Sequence, residues 1–549
     1  MIDLDLPILI IAWALLQLKA IFFWVYLWQL KDYHIGRFLA HFETDKGKRI
    51  FLNKIFLLKF LFLVLSLIAD FGYGRFFPIL VVLSFYALLG SKAGYDFARR
   101  RAKLPVFNFK TTVLSLASGV SLLFLLFGLP ILGKLPGDLF LSFFIAIDFF
   151  NFAIITAIVL LMQPITVIWR NREIAKAKAK RAFRKELLVI GITGSYGKSS
   201  TKEFLARILS RKFKVLKTSK NQNSEIGIAN CLNRELAPDH QIFICEMGAY
   251  NKGGIKFLCD ITQPAVGILT GINQQHLSTF GSQKNIIDAK FELIQALPAT
   301  GLAIVNSRNN FIRQKMGDIS FHPAVKTIKI TDPFVPGPLW LENVEIDKSK
   351  IYFTARTKGK ERTDFEIDAL GGEGLIEDIF MALLCARELG VGLPEMALAL
   401  KNWKIGEHST RLVKGTHGLD VIDATYSANP SGVMEDLEHL KLWSGKKKVL
   451  VMPCLIELGK EAARVHQDIG QYISDICDLA IITSKDYFED IRIGAARNKS
   501  GKAKIIQTDK TSEIMREIRK GCMLGDVVLL ESRVPQELID ILESPNFQN

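Results

Sequence analysis

Lys198 and Ser199 end a glycine-punctuated turn, Gly191-Ile-Thr-Gly-Ser-Tyr-Gly-Lys-Ser199, and those types at that spacing are suited to holding phosphate. Gly191, Gly194 and Gly197 let the backbone turn tightly and bring its N–H groups close to phosphate oxygens. A helix beginning near Lys198 would aim its positive dipole end at the same spot. Lys198 would then reach the β- and γ-phosphates of a nucleotide, and the Ser199 hydroxyl would ligate Mg²⁺. The strict GxxxxGK[ST] pattern is not met, because Ile192 stands where its first glycine belongs. Two more polar groups close apolar runs. Glu246 ends Gln241-Ile-Phe-Ile-Cys-Glu246, from where a carboxylate can hold the same Mg²⁺, and His276 follows the run that starts at Val266. A single Glu or His at a strand end is commonly structural, so these two gain meaning only in company.

Such a loop needs a buried strand before it and an amphipathic helix after it, and the sequence supplies both. The run from Leu187 to Ile192 is apolar, and Lys198 to Leu205 has helical spacing. From 187 onward strand and helix patterns alternate, as in a parallel sheet covered on both faces. A second α/β unit is expected after Gly406, with short buried strands at Leu419–Asp423, Lys448–Met452, Leu479–Thr483 and Val527–Glu531. The predicted domains are therefore 1–169 (α-helical, membrane), 170–186 (basic juxtamembrane helix), 187–406 (P-loop-type central ATPase domain) and 407–549 (Rossmann-like C-terminal domain).

The front of the chain explains why a protein of 549 residues with a net charge of +15 is also half apolar. Five stretches, about 6–30, 52–70, 76–95, 111–133 and 138–168, are long and apolar enough, or nearly so, to cross a bilayer. The first lacks the basic start and small-residue cleavage site of a signal peptide. Lys and Arg crowd the loops 31–49 and 91–110, while the other turns hold only Arg75 and Lys134. That alternation predicts an N-terminus outside and the phosphate loop in the cytoplasm. Lys19, Lys59, Asp70 and Asp148 lie within or near these stretches. Asp70 is near an end and Lys59 is placed to snorkel, which leaves Lys19 and Asp148 as interior polar contacts, too few for a transport pathway. The run 170–185 holds eight Lys and Arg and reads as a helix lying on anionic lipid, with no nucleic-acid partner expected because stacking aromatics are scarce. All seven cysteines lie beyond residue 230 with no CxxC pair, which suits a reducing compartment.

Taken in order, the motifs resemble the Mur ligase family, most closely its MurF branch, over roughly residues 187–540. Gly191-Ile-Thr-Gly-Ser-Tyr-Gly-Lys-Ser-Ser-Thr-Lys-Glu203 is similar to the family's ATP loop, and Thr218-Ser-Lys-Asn-Gln-Asn-Ser-Glu-Ile-Gly227 to the branch's T-x-x-N-x-N-N-E-I-G. Cys245-Glu-Met-Gly-Ala249, His276 with Phe280-Gly-Ser282, Ile287-Asp-Ala-Lys-Phe-Glu292 and Val305-Asn306 follow in the family's order. So do Ser409-Thr-Arg411, Asp423-Ala-Thr-Tyr-Ser-Ala-Asn-Pro430, Ile456-Glu-Leu-Gly459 and His466-Gln-Asp-Ile-Gly470.

The resemblance implies ATP-dependent amide-bond formation through an acyl phosphate. Gly194, Ser195, Gly197, Lys198, Ser199 and Ser200 would line the ATP loop, with Lys198 on the γ-phosphate. Ser199 and Glu246 would hold one Mg²⁺, and His276 a second. Lys290 matches the lysine that the family carbamoylates with CO₂. Asn306 would contact adenine, Arg411 and Asp423 would close over the nucleotide, and Asn221, Asn223, Tyr426 and Asn429 would meet the substrates. These are a cell-wall precursor carboxylate and an amino acid or dipeptide amine. The chain departs from the branch at Ser224, Ala424, Pro453-Cys454 and Leu529-Leu-Glu-Ser-Arg533, positions that bear on the amine and the ribose. A membrane domain stands where the family has its UDP-gripping domain. The expected activity is thus a membrane-anchored, MurF-like ligase. Two alternatives are a relative using a lipid-linked or non-murein carboxylate, and a P-loop ATPase coupled to transport. Amidation by glutamine-derived ammonia is disfavoured by the missing zinc cysteines.

Overall fold

The structure is a computed structural model. It describes residues 5–31, 33, 35–42, 44–70, 76–128, 140–219, 222–318, 324–325, 327–404, 406, 410–426, 429–498 and 501–544. The chain divides into two compact units, Met1–Asn171 and Arg172–Asn549.

The first unit is helical. Its organising element is the helix Asp5–Leu30, against which Phe76–Ala98, Phe109–Leu123 and Asn151–Leu161 pack. Gly90 permits the first of these contacts, because a Cβ there would lie 2.4 Å from the Ala12 carbonyl oxygen. Large aromatics fill the interior, with Trp28 stacked on Phe38 at 3.9 Å between centroids. Four segments among the described residues are long and apolar enough to cross a membrane: Ile10–Leu30, Gly47–Ile68, Phe109–Gly128 and Asn151–Phe183. Five were expected. The stretch 76–95 does form a helix, but its later turns bring Lys92 and Asp96 into Phe76–Ala98, and it is not among the four. The stretch 138–168 is broken into Phe140–Phe149, Asn151–Leu161 and the start of Gln163–Phe183.

Among the charged side chains of this unit, Lys19 and Asp148 make polar contacts as expected, whereas Lys59 differs. Lys59 does not snorkel: its Nζ lies 2.7 Å from the buried Asp148 carboxylate, which also accepts from Gln17 at 2.6 Å and from Tyr86 at 2.9 Å. Lys19 pairs with Asp96. Burying a charge is costly unless it is matched, and pairing within the helix bundle removes that cost.

Three cations of the basic run 170–185 have partners within the second unit. The run forms the end of the helix Gln163–Phe183, and its Ile174 and Ala177 are buried in the core of the second unit. Arg181 donates from Nε to the Thr262 carbonyl at 2.8 Å, Lys180 to Asn233 O at 3.1 Å, and Arg184 to Ala237 O at 3.0 Å and His240 O at 2.9 Å. These three cations satisfy carbonyls at loop and helix ends, where the apolar face of the helix carries them.

Among the described residues the second unit holds three sheets. The first contains β1 (Leu188–Thr193), β2 (Val215–Lys217), β3 (Ile242–Glu246), β4 (Val266–Leu269), β5 (Leu302–Asn306) and β6 (Thr327–Thr331), all parallel in the order β2-β3-β1-β4-β5-β6. An antiparallel sheet of β7 (Leu339–Ile346), β8 (Ile351–Thr357) and β9 (Arg362–Ile367) shares the core on one face of it. The third sheet contains β10 (Arg411–Lys414), β11 (Asp420–Ala424), β12 (Lys448–Met452), β13 (Leu479–Ile482), β14 (Lys504–Gln507) and β15 (Val527–Glu531). Its order is β10-β11-β15-β12-β13-β14, parallel except for β10. In the first sheet the chain winds outward from β1 in both directions. The carboxyl ends of β1, β3 and β4 therefore flank a switch point, where open α/β sheets bind ligands.

Candidate active site

The phosphate loop leaves the end of β1 and enters the helix Lys198–Leu209. Gly197 has φ +79° and lies so close to Asp378 that a Cβ would sit 2.2 Å from its Oδ1. At Gly194 a Cβ would lie 2.1 Å from Thr270 Oγ1. Both positions therefore exclude a side chain, which keeps the loop backbone open at the helix N-terminus. Lys198 curls back so that its Nζ donates to Gly194 O at 2.9 Å and Ser195 O at 3.2 Å. Burial pushes its ammonium down, and the nearby Glu246 opposes that.

Glu246, at the end of β3, is the hub. Its Oε2 accepts from Ser199 Oγ at 2.9 Å and Lys202 Nζ at 3.0 Å, and its Oε1 from Asn223 at 3.3 Å. Burial works against the carboxylate, but Lys202 and Lys198 outweigh it and hold its pKa below the usual range. It is ionised at neutral pH. Lys202 stands one turn beyond Lys198 and three residues from Ser199, so the helix presents all three to one side. Sequence reasoning gave Lys202 no role, although that spacing was visible.

His276 follows β4 in a left-handed conformation, φ +63°. Its Nδ1 lies 2.6 Å from Glu457 Oε2, and burial keeps the imidazole below its ordinary pKa despite that carboxylate. A neutral ring facing an ionised carboxylate donates from Nδ1, which leaves Nε2 with its lone pair available, the arrangement usual for a metal-binding imidazole. Glu457 was expected only as part of the Ile456–Gly459 match; nothing local in the sequence couples it to a histidine 181 positions earlier.

Lys290, on the helix Gln283–Gln295, is buried and makes no hydrogen bond or ion pair with the described residues. Burial, followed by the charge of Lys198, lowers its pKa to about 7. A large part of it is thus free amine at neutral pH.

The other predicted site residues are distributed as follows. Asn306 ends β5 and donates to Glu377 at 2.7 Å, which also accepts from Arg308 at 2.7 Å. Beside them a cavity of about 390 Å³ is lined by Tyr196, Arg308, Asn309, Glu373, Glu377 and Glu435. Burial pushes Glu435 up to about 8, with Asp436 adding to it, and burial with Glu435 pushes Asp378 well up. Glu435 is then largely protonated at neutral pH and repels phosphate little. Arg411 and Asp423 face each other across β10 and β11 at 2.9 Å, and Arg411 also reaches Glu543 at 2.8 Å. Asn429 caps the helix Pro430–His439 and accepts from Asn273 at 2.9 Å, joining the two α/β domains beside the loop after β4. Tyr426 is half-exposed and near enough to Glu246 for that carboxylate to add to the burial that raises its phenol. Ser195 is buried and Ser200 lies in the first turn of the loop's helix. Asn221 and Ser409 lie outside the described residues.

Among the described residues no three His, Cys, Asp or Glu side chains converge on one point. That suits Mg²⁺, which takes one or two protein oxygens and fills its shell with phosphates and water. Ser199 and Glu246 offer such a pair.

Residues 192–386 match the Mur ligase middle domain, and residues 410–533 match the Mur ligase glutamate ligase domain. The UDP-N-acetylmuramoyl-tripeptide–D-alanyl-D-alanine ligase of Bacillus subtilis is 26% identical over 373 residues, 66% of this chain and 78% of its own length. MurF from Acinetobacter baumannii superposes with a TM-score of 0.60 at 25% identity, over 68% of this chain and 81% of that one. MurF from Thermotoga maritima in complex with ADP gives 0.58 at 24% identity over 68% and 83%, a likeness of fold. With both of these domains in sequence order and MurF proteins as its relatives, the chain belongs to the Mur ligase family of ATP-dependent ligases and is MurF-like within it.

Proposed function

We propose that the chain joins an amino acid or dipeptide, D-alanyl-D-alanine first among them, to the terminal carboxylate of a muramoyl-peptide precursor, and that it does so anchored in a membrane. The observation that carries the chemistry is the convergence of Lys198, Ser199, Lys202 and Glu246 with Lys290 and the His276–Glu457 pair at the carboxyl ends of β1, β3 and β4. A carboxylate oxygen of the donor attacks the γ-phosphorus of ATP, and the bond to the β-γ bridging oxygen breaks with loss of ADP. The amine then attacks the acyl carbon, phosphate departs with the C–O bonding pair, and the amine loses one proton. Negative charge accumulates on the transferred phosphoryl oxygens, and Lys198 with the loop N–H groups is set to meet it.

Ser199 and Glu246 would hold one Mg²⁺ and His276 Nε2 a second, and these ions would supply neutralisation of the phosphate charge. Lys290 as free amine is the form that adds CO₂, and its carbamate would serve as a further anionic ligand. The cavity beside Asn306, walled by Tyr196 and Arg308, suits a nucleobase and ribose. Asn223 and Tyr426, near Glu246, would meet the substrates together with Asn221 and Asn429. Arg411 and Asp423 reach the nucleotide only if their pair with each other opens.

The four apolar helical segments support membrane anchoring. The Lys- and Arg-rich loops 31–49 and 91–110 favour an N-terminus outside and both α/β domains in the cytoplasm, a topology that takes the helix Phe76–Ala98 as a fifth crossing. The test supplies purified full-length protein with ATP, the UDP-linked muramoyl tripeptide and D-alanyl-D-alanine. ADP and a new amide appearing one for one support the reading. ADP formed without amide refutes it. Resistance of the chain to alkaline carbonate extraction tests the anchoring separately.

A further inference from the structure

The helical unit contains a cavity of about 680 Å³, within the range of about 300–1,000 Å³ usual for small-ligand sites. Nothing in the ligase chemistry uses it. Its apolar wall is aromatic: Phe56 packs on Phe149 at 4.7 Å and Phe51 on Phe152 at 5.0 Å, with Trp24 over Phe51 at 6.0 Å. Its polar side carries Lys19, Lys54, Lys59, Lys92, Arg101 and Lys103.

Two of these six cations are matched, Lys19 by Asp96 and Lys59 by Asp148. Lys54, Lys92, Arg101 and Lys103 have no carboxylate within ion-pair distance among the described residues, although Asp96, paired with Lys19, is near enough to Lys92 and Arg101 to feel their charge, and Arg101 also lies over the ring of Tyr95 at 5.9 Å. These four side chains are exposed at the rim of the cavity, where they gather positive charge at its mouth. Such a rim attracts an anion, and a phosphate or diphosphate provides several oxygens for ammonium and guanidinium donors. The aromatic wall in turn calls for a long apolar chain.

We propose that this cavity binds a membrane-resident amphiphile with a phosphate or diphosphate head and a long hydrocarbon tail. The head lies among Lys54, Lys92, Arg101 and Lys103, and the tail leaves along Trp24, Phe51 and Phe56. The inference rests on the membrane reading given above.

The test uses the full chain in phosphatidylcholine nanodiscs with a fluorescent polyprenyl diphosphate as probe. Lys92→Glu/Arg101→Glu should weaken binding roughly tenfold or more, since each basic group near an anionic head contributes comparably. Lys48→Glu/Arg99→Glu, which changes exposed cations of the same loops outside the cavity, should leave it unchanged, and Lys92→Arg/Arg101→Lys should keep it. ATP binding to each variant reports that the protein is folded. Equal weakening in both double variants overturns the proposal in favour of a diffuse charged surface. Displacement by inorganic diphosphate at similar concentration overturns the role of the tail, and displacement by the free polyprenol, which has the tail without the phosphate, overturns that of the head. Release of the chain from membranes by carbonate overturns the membrane reading and this proposal with it, whereas retention with unaltered binding in the cavity variant overturns this proposal alone.

Discussion

Lys290→Met separates what this lysine costs the fold from what it contributes to the reaction. The wild-type ammonium is buried without a partner, and its pKa falls from 10.5 to about 7. At about 1.4 kcal/mol per tenfold, that drop corresponds to about 5 kcal/mol, an upper bound once water penetration is allowed for. The sign follows from the direction. The unfolded lysine holds its proton up to about pH 10, whereas the folded one releases it near pH 7, so folding is penalised in full below pH 7 and progressively less as pH rises toward 10. Methionine fills similar volume without charge. Lys290→Met should therefore raise the midpoint of thermal unfolding at pH 6, and the gain should shrink steadily through pH 9. Ligase activity should be lost at every pH. Differential scanning fluorimetry of the detergent-solubilised chain across that range is the assay. A variant no more stable than wild type at pH 6, or a gain independent of pH, would refute the buried, unpaired amine. In the wild type, activity should also fall when CO₂ is stripped from the buffer and return with bicarbonate.

Lys198→Ala should lower amide formation by on the order of 10³-fold while leaving thermal stability nearly unchanged, because its charge is needed where phosphate charge develops; near-normal turnover would contradict its role. Gly197→Ala forces a left-handed conformation, at about 1–2 kcal/mol, and a collision with Asp378, so ATP affinity measured by calorimetry should drop sharply. Glu457→Gln keeps the contact with His276 but removes the charge that fixes Nδ1 as donor. It should weaken the Mg²⁺ dependence of the rate by roughly 10–100-fold, and an unchanged Mg²⁺ titration would sever that link. A reporter fused after residue 185 should read as cytoplasmic and one at the N-terminus as external; both on one side would mean an even number of crossings.

The phosphate loop was legible in the sequence because its chemistry is local. Strand, glycine turn, Lys198 and Ser199 are contiguous, and a helix dipole needs no distant partner. The alternating elements of both α/β domains and the apolar segments at the front are likewise periodic signals. Tertiary structure alone decided which charges meet. Glu457 reaches His276 across 181 positions, Lys59 finds Asp148 inside the helical bundle, and Arg411 is taken up by Asp423 and Glu543. Arg181 and Arg184 turn to carbonyls of the middle domain, although their composition reads as lipid-facing. The physical reason is common to all of these. A charged side chain is matched by whatever group is desolvated with it, and that company is set by how the elements pack. Lys290 shows the same division: its type and place in the motif order were readable, but its free amine exists only because the fold buries it beside Lys198.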